Sequence, residues 1–426
     1  MNQQGSGGAD GRGSRAVALA VTVAALGYFV DIYDLILFSV VRVKSLQGLG
    51  VPPEALLPRG IHIINMQMIG MLAGGVLWGI LGDRRGRLSV LFGSILLYSV
   101  ANLLNAIPDR LASLLAGQVD AVDVYAWVRF FAGIGLAGEL GAGITLVSES
   151  MGKNTRGFGT TIVASVGICG ALVAVFVSKT LNWRAAYAIG GGLGFALFAL
   201  RLGVMESGMF EAARTQKVRR GNFLSLFASW SRARRYLSVI LVGVPIWYVV
   251  GVLATFSDAL GKGLGMTALP NPANAILAAY GGLIIGDFGS GFLSQILRTR
   301  KKVLALFLAL TTIFMAAYFT IASHSLAMFY GTVFCLGIAV GYWAVFVTVA
   351  SEQFGTNIRA TVTTTAPNFV RGSLVPVTTA FQALSAHMRI TNAALVVGAA
   401  TLVLAFIALA GLDETHGKDL DYLEAD

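Results

Sequence analysis

The chain has 426 residues, of which 56% are hydrophobic and only 12% are charged, and its formal net charge is +10. Soluble domains carry roughly 25% charged residues, so this composition excludes an ordinary soluble protein and indicates a membrane protein. The basic excess does not require a nucleic-acid partner, because it is concentrated in polar stretches between apolar segments.

Twelve apolar segments follow one another along the chain, each of roughly 20 residues and therefore long enough to cross about 30 Å of hydrocarbon. We place them near residues 16–43, 60–81, 88–107, 125–148, 158–180, 185–205, 236–260, 273–297, 302–322, 326–350, 360–384 and 391–411. The sequence thus predicts an all-α membrane protein. It divides into a disordered N-terminus (1–15), six spans (16–205), a linker (206–235), six further spans (236–411) and a tail (412–426).

The basic residues predict the orientation of the chain. The loops after even-numbered segments are rich in them, and they include Arg84, Arg85, Arg87, Lys153, Arg156, Arg298, Arg300, Lys301, Lys302 and Arg359. The positive-inside rule places these loops in the cytoplasm, together with both termini. We therefore expect a multi-pass protein of a bacterial inner (plasma) membrane that acts as a monomer in the lipid bilayer.

A short motif occurs twice. The stretch Ser148–Arg156 returns without a gap as Ser351–Arg359, about half the chain further on, with Ser, Glu, Gly, Asn and Arg in the same places. Because both copies follow a fourth apolar segment of their half, the match indicates two copies of one ancestral unit. In a membrane chain, this favours a transporter built from two related bundles with the substrate between them.

The stretch Gly79–Arg87, between the second and third segments, resembles the Gly-x-x-x-Asp-Arg-x-Gly-Arg signature of the major facilitator superfamily of transporters. Gly79 and Gly86 would allow close backbone approach and a tight turn. Asp83 can cap a helix N-terminus and pair with arginines, which would latch the cytoplasmic side shut. We expect this gate to comprise Gly79, Asp83, Arg84, Gly86, Arg87, Glu149, Arg156, Glu352 and Arg359.

The corresponding place in the second half keeps a glycine, Gly291, and a basic cluster, but has Gln295 where the acid would be. Two further stretches carry the resemblance. The run from Arg129 to Glu139 is similar to that of proton-driven superfamily members, and the tail Asp413–Leu420 is similar to the closing motif of sugar-porter-like chains.

Asp31-x-Tyr33-Asp34, together with the run from Gly138 to Glu149, resembles the organic-acid and phosphate symporter branches. The resemblance implies twelve helices in two pseudo-symmetric six-helix bundles that work by alternating access.

Ionisable groups inside apolar segments are costly, by at least about 2.5–3.5 kcal/mol each, so each is a functional candidate. Asp31 and Asp34 are three residues apart and share a helix face. Arg129 in the fourth segment lies at comparable depth, so we predict an Asp–Arg pair that substrate arrival breaks, letting the acid take a proton. Asp34 is the preferred acid, with Asp31 as second choice. The alternative is a static buried ion pair.

Glu139 has no basic residue one turn away on its own helix, so we expect an unpaired carboxyl that favours its protonated form. The alternative is a neutral glutamic acid bonded to a neighbouring helix. In the second half, Arg371 with Asn368 one turn earlier offers a fork for an anion. We expect Asp287 to hold Arg371 in the empty state, or else to form a permanent pair with it.

Aromatic residues are expected to complete a binding cavity. In the segments that line the cavity of the resembled fold they are Tyr28, Tyr33, Trp247, Tyr248, Tyr280, Tyr342 and Trp343. Pro245, just before Trp247, could mark a gating kink. For any single aromatic residue, ordinary packing or a place in an interfacial belt is the alternative.

These observations predict a secondary active transporter, most simply a proton-coupled symporter of a small anionic solute such as a carboxylate. Phosphate or sugar symport, proton-driven export and a non-transporting receptor are the alternatives. The four histidines form no metal-ligand spacing, and there is no phosphate-binding Gly-rich loop. We therefore expect no enzyme activity, cofactor, metal or nucleic acid. The expected partners are a small-molecule substrate, protons and lipid.

Overall fold

The structure, a computed structural model, describes residues 7–85, 87–115, 118–139, 156–206, 223–417 and 424. Within these residues the regular secondary structure is helical throughout. This follows from the long apolar stretches, because in a bilayer a helix satisfies all of its backbone hydrogen bonds within one segment.

The first half contains seven described helices. They are α1 (Gly7–Gly48), α2 (Leu56–Arg85), α3 (Arg87–Asn105), α4 (Pro108–Leu114), α5 (Ala121–Leu136), α6 (Arg156–Thr180) and α7 (Trp183–Glu206). Asp120 caps α5 by accepting a hydrogen bond from the backbone N–H of Val122. The helix α1 begins at Gly7, inside the stretch predicted to be disordered.

The second half follows a short 3₁₀ turn, Phe223–Phe227, which ends the described part of the linker. Its helices are α8 (Trp230–Tyr248), α9 (Ser257–Gly263), α10 (Pro272–Ile296), α11 (Lys301–Thr320), α12 (Leu326–Ala339), α13 (Trp343–Glu352), α14 (Thr356–Gly372), α15 (Leu374–Ser385) and α16 (Ile390–Ala410). The segments predicted near 326–350 and 360–384 are therefore each divided into two helices.

In the described residues, eight helical segments are long and apolar enough to cross a membrane, or nine when α3 and α4, bent by 85°, count as one. The predicted twelve spans fit this number. Three predicted spans are not in this number: the second part of the fourth lies outside the described residues, the fifth is represented by the shorter apolar stretch Val166–Thr180, and the eleventh is split between the short helices α14 and α15.

The two halves repeat the same internal packing. In the first half α2 crosses α5, and in the second half α10 crosses α12. Both crossings depend on glycine: a Cβ on Gly133 would lie 2.1 Å from the Gln67 carbonyl oxygen, and one on Gly337 would lie 2.2 Å from the Ala279 carbonyl oxygen. Small residues of this kind let membrane helices approach closely.

The helix breaks repeat as well. The helix α5 ends two residues before Gly138, and α12 ends two residues before Gly341, which holds the same place relative to the second copy of the repeated motif. The repeat seen in the sequence is therefore also a repeat of backbone structure. The two bundles meet where α2 contacts α14 and α15, and where α6 contacts α10.

The seventh predicted span is irregular. Pro245 lies inside α8, and a π-helix, Val249–Ala254, follows directly. Proline lacks the backbone N–H donor, and a π-helix has hydrogen bonds between residues five apart where an α-helix has them four apart. Both features therefore interrupt the regular hydrogen-bond pattern of an α-helix. The predicted kink at Pro245 thus lies next to a real irregularity, while its role in gating stays a prediction.

Candidate functional site

A cavity lies between the two bundles. Its lining consists of Tyr28, Ile32, Ile168, Ile246, Trp247, Val250, Tyr280, Leu283, Trp343 and Arg371. Four of the predicted aromatic residues, Tyr28, Trp247, Tyr280 and Trp343, therefore line the same cavity as the predicted arginine. The cavity volume is about 30 Å³, room for no more than a few water molecules, so the bundles must separate somewhat before a solute fits.

Arg371 is the charged group of this lining. It lies on α14, its side chain is only 1% exposed, and its guanidinium carbon is 5.8 Å from the centre of the Trp343 ring. Its Nη2 atom is 3.6 Å from Oδ2 of Asp31, across the gap between the bundles. Within the described part of the chain, its Nε and Nη1 atoms have no hydrogen-bond partner. Arg371 therefore keeps most of its donor fork available for an anion.

The expected partner of Arg371, Asp287, does not pair with it in the described structure, so that expectation is wrong. Asp287 accepts a hydrogen bond of 2.7 Å from the backbone N–H of Ala344. The break between α12 and α13 leaves the first N–H groups of α13 without helical partners, and a carboxylate is a favourable acceptor for them. Asp287 thus stabilises the start of α13.

The predicted pair between the first and fourth segments is present. Nη1 of Arg129 lies 2.9 Å from Oδ1 of Asp34, and both side chains are fully buried. The same guanidinium donates to the Asp34 carbonyl oxygen at 3.1 Å, to Gln67 Oε1 at 3.2 Å and to Asn102 Oδ1 at 3.3 Å. This pair belongs to one bundle and is embedded in a network of neutral amides.

The environment of Asp31 differs from that of Asp34. Among the described residues, neither carboxylate oxygen of Asp31 has a hydrogen-bond partner, although the side chain is 0% exposed. Its ion-pair contact within this part of the chain is the long one to Arg371, at 3.6 Å. The Asp31 carboxylate is therefore held less tightly by its neighbours than the Asp34 carboxylate is.

Glu139 is paired, contrary to expectation. Arg201 on α7 forms a bidentate ion pair with it: Nη1 donates to Oε1 at 2.9 Å, and Nη2 donates to Oε2 at 2.8 Å. The Ser94 hydroxyl donates to Oε1 at 3.1 Å. The expectation failed because it considered only the helix of Glu139. Arg201 lies near the end of its own span, where a basic residue gives no signal of a buried partner.

Three other predicted binding residues lie away from the cavity lining. The amide of Asn368 donates to the carbonyl oxygens of Ala137, at 2.9 Å, and Thr364, at 3.1 Å, so it joins the two bundles. The hydroxyls of Tyr33 and Tyr248 donate within their own bundles, to the carbonyl oxygens of Ala186 (2.8 Å) and Ala394 (2.6 Å) respectively. Within the described residues, these two tyrosines are packing elements.

A contact missed by sequence reasoning joins the bundles on the face opposite the chain termini. Arg42, fully buried near the end of α1, forms an ion pair with Asp258 on α9. It also donates to the Thr255 carbonyl oxygen at 3.2 Å, just after the π-helix, and its guanidinium lies 4.8 Å from the centre of the Phe256 ring. Arg42 lies at the very end of the first predicted segment, where a basic residue gives no signal of a buried partner, so the sequence did not predict this contact.

Part of the predicted gate falls outside the described residues. These are Gly86 and Glu149 entirely, and the side chains of Asp83, Arg84, Arg87 and Arg156. Gly79 is described, and no atom of the described residues lies within 4 Å of where its Cβ would be, so close approach among these residues does not explain this glycine.

The second copy of the motif is described and contacts the tail. Glu352 accepts a hydrogen bond of 2.7 Å from the Thr415 hydroxyl, and its Oε2 lies 3.5 Å from Nε of Arg300. Arg359 donates from Nε to the Ser351 carbonyl oxygen at 3.0 Å. These contacts tie the start of α11 and the end of α13 to the residues after α16.

The acid that is absent from the second-half loop is supplied by the tail. Glu414 accepts hydrogen bonds from the hydroxyl of Thr299 and from the backbone N–H groups of Arg300 (2.8 Å) and Lys301 (3.1 Å), at the start of α11. Partial burial acts to raise the pKa of Glu414, but these bonds and one from the His416 N–H lower it to about 2. The carboxylate therefore stays charged at neutral pH and caps α11.

A sequence model of the Major Facilitator Superfamily matches residues 17–374. A candidate niacin/nicotinamide transporter, NiaP, of Bacillus subtilis is 28% identical over 360 residues, which cover 82% of this chain and 84% of that protein. The niacin transporter NiaP of Acinetobacter baylyi is 31% identical over 173 residues, 40% of this chain and 36% of that protein.

Among solved structures, the proton:xylose symporter XylE of E. coli, bound to 6-bromo-6-deoxy-D-glucose, superposes with a TM-score of 0.68. The match covers 96% of this chain and 98% of that chain, at 18% sequence identity. At this identity the likeness shows the fold alone.

Proposed function

Because the chain belongs to the major facilitator superfamily of membrane transporters, we propose that it is a proton-coupled symporter of a small planar monocarboxylate, with nicotinate as the first compound to test. Transport proceeds by alternating access, in which the two bundles rock about a central site. The chain termini lie in the cytoplasm of a bacterial cell, and the face closed by Arg42 and Asp258 is the outer face.

One observation carries this proposal: Arg371 lines the central cavity with two of its nitrogen atoms unpartnered among the described residues. A guanidinium binds a carboxylate through two parallel hydrogen bonds, and a single arginine matches a single negative charge. The site therefore favours a monocarboxylate over a more highly charged anion such as phosphate.

The remaining lining favours a flat, partly apolar solute. Tyr28, Tyr280, Trp247 and Trp343 supply aromatic faces on both bundles, and aromatic rings stack in offset or edge-to-face geometry with gains of about 0.5–1.5 kcal/mol per pair. The indole N–H of Trp247 has no partner within the described chain, so it is a candidate donor to a ring nitrogen. A pyridine carboxylate such as nicotinate offers all three features at once.

The proton-coupling group is one of the two buried acids of α1. Asp34 and its partner Arg129 occupy the place that the family resemblance assigns to coupling, and Asp31 lies next to the cavity. The related niacin transporters support the substrate class. The fold neighbour named as a proton:xylose symporter keeps a sugar among the substrates to be tested.

The test is uptake of radiolabelled nicotinate into proteoliposomes of the purified protein. We expect saturable uptake that unlabelled nicotinate inhibits and that xylose, phosphate and nicotinamide do not. Nicotinamide is the decisive competitor, because it keeps the ring and replaces the carboxylate by a neutral amide.

Arg371→Gln should abolish this uptake, whereas the matched control Arg110→Gln, at an exposed position of α4, should transport like the wild type. Equal inhibition by nicotinamide and nicotinate, or full activity of Arg371→Gln, would contradict the carboxylate assignment. Uptake of xylose or phosphate instead would move the protein to that substrate class.

A further inference from the structure

Within the described part of the chain, Asp31 is the acidic side chain that forms an ion pair with Arg371, and that pair spans the two bundles. Asp31 lies on α1 of the first bundle, Arg371 lies on α14 of the second, and their closest charged atoms are 3.6 Å apart. The pair therefore occupies the arginine that the proposed function assigns to the substrate, and it must rearrange when the bundles move apart.

Resting on that proposed function, we infer that Asp31 is a built-in substitute for the substrate carboxylate: the incoming anion displaces Asp31 from Arg371, and Asp31 then takes up one proton. The step is balanced. A proton from water on the open side binds a carboxylate oxygen of Asp31, the Arg371–Asp31 pair is broken, and an Arg371–substrate pair is formed. Release on the other side reverses each change.

The charge of the site explains why the two events are linked. In the empty site Arg371 and Asp31 carry opposite charges. In the loaded site Arg371 and the substrate carry opposite charges, and Asp31 is neutral. Binding the anion alone would leave a surplus negative charge in the membrane, and binding the proton alone would leave a surplus positive one. Each of these states is costly, so substrate and proton travel together in an electroneutral step.

The surroundings favour Asp31 over the other acids for this role. The ionisable groups that act electrostatically on it or are acted on by it are Asp34, Glu139, Arg371, Tyr28, Tyr98 and Tyr280. Asp34 is held by Arg129, and Glu139 by Arg201, each at 2.9 Å or less. The helix that packs most closely on α1, α6, contributes glycines at this level, with Gly170 against the backbone of Phe29 and Tyr33.

The test counts protons that are bound together with nicotinate. Isothermal titration calorimetry of the purified wild type at pH 7.5, in HEPES and in Tris, gives the number of protons exchanged from the difference in heat between the two buffers. We expect uptake of about one proton per nicotinate. Asp31→Asn should bind nicotinate with no proton uptake, and Asp31→Glu should restore it. Asp109→Asn, an exposed carboxyl-to-amide control on α4, should match the wild type.

The outcomes separate this inference from the proposed function. Wild-type protein that binds nicotinate without taking up a proton would overturn the role of Asp31 and leave the anion site standing. Asp31→Asn protein that still takes up about one proton would also overturn it. If the wild type does not bind nicotinate at all, the proposed function itself fails. Should Asp31→Asn not fold, the wild-type buffer comparison and the Asp31→Glu protein still decide the question.

Discussion

Asp31 and Asp34 lie one helical turn apart on α1, yet their carboxylates pair with arginines of different bundles. Asp34 contacts Arg129 of its own bundle at 2.9 Å, and Asp31 contacts Arg371 of the other bundle at 3.6 Å. A pair within one bundle keeps its geometry while the bundles rock, whereas the geometry of a pair between bundles depends on their relative position. We therefore expect different roles for the two acids: Asp34 should stabilise the first bundle, and Asp31 should respond to the state of the cavity.

Asp34→Asn should mainly affect stability. Removing one partner of a buried ion pair leaves an uncompensated charge and costs about 3–5 kcal/mol, so the melting temperature of the purified protein should fall clearly. Protein that remains folded should still show uptake driven by an imposed pH gradient, because the proton binds Asp31. Gradient-independent uptake in a stable Asp34→Asn protein would instead assign the proton to Asp34.

Glu139→Gln should also destabilise the protein, because Arg201 would lose its bidentate carboxylate partner and would remain as an uncompensated buried charge. A double variant, Glu139→Leu with Arg201→Leu, should recover much of the loss, since replacing both partners removes the buried charges together. Thermal melts followed by tryptophan fluorescence measure both. A single variant that melts like the wild type would show that the pair contributes little.

Asp258→Asn should open the face opposite the termini. This change removes the ion-pair partner of Arg42, which is buried between α1 and the end of the π-helix. In a background with Cys169→Ser and Cys335→Ser, a reporter cysteine at the cavity position Val250 should react several-fold faster with a membrane-impermeant maleimide.

The charge-exchanged protein, Arg42→Asp with Asp258→Arg, should return the labelling rate toward that of the parent. If the labelling rate of Asp258→Asn equals that of the parent, the Arg42 contact does not control access to the cavity.

The tail contact should be insensitive to pH in the neutral range. The pKa of Glu414 is lowered from 4.5 to about 2 in the folded protein, so its stabilising contribution is fully present above about pH 4.5 and is lost as the pH falls toward 2. The melting temperature of Glu414→Gln should therefore lie below that of the wild type by a constant amount between pH 8 and 5. A difference that narrows already between pH 7 and 6 would contradict the assignment.

The sequence predicted the architecture well because membrane-spanning helices are visible as long apolar segments, and because one motif occurs in both halves of the chain. It also predicted the Asp34–Arg129 pair, since both residues are unusual in apolar segments and match in depth. These signals are local to each segment, and they identify which residues are candidates. They do not identify which residues meet.

The errors arose where contacts depend on helix packing. Asp287 was assigned to Arg371 because both lie in the second half, but the break before α13 offered it backbone donors instead. Arg201 and Arg42 lie near the ends of their predicted segments, where basic residues are common, yet both are buried and paired. Glu414 replaces the acid missing from a loop more than a hundred residues earlier, a relationship that only the folded tail reveals.

The most direct test of the central claim is internal acidification of proteoliposomes that contain a trapped pH dye and no imposed gradient. Adding nicotinate outside should acidify the lumen in step with nicotinate uptake, and adding nicotinamide should not. The lumen of vesicles that contain the Arg371→Gln protein should not acidify in either case. Uptake of nicotinate without acidification, in vesicles shown to be proton-tight, would contradict proton-coupled symport.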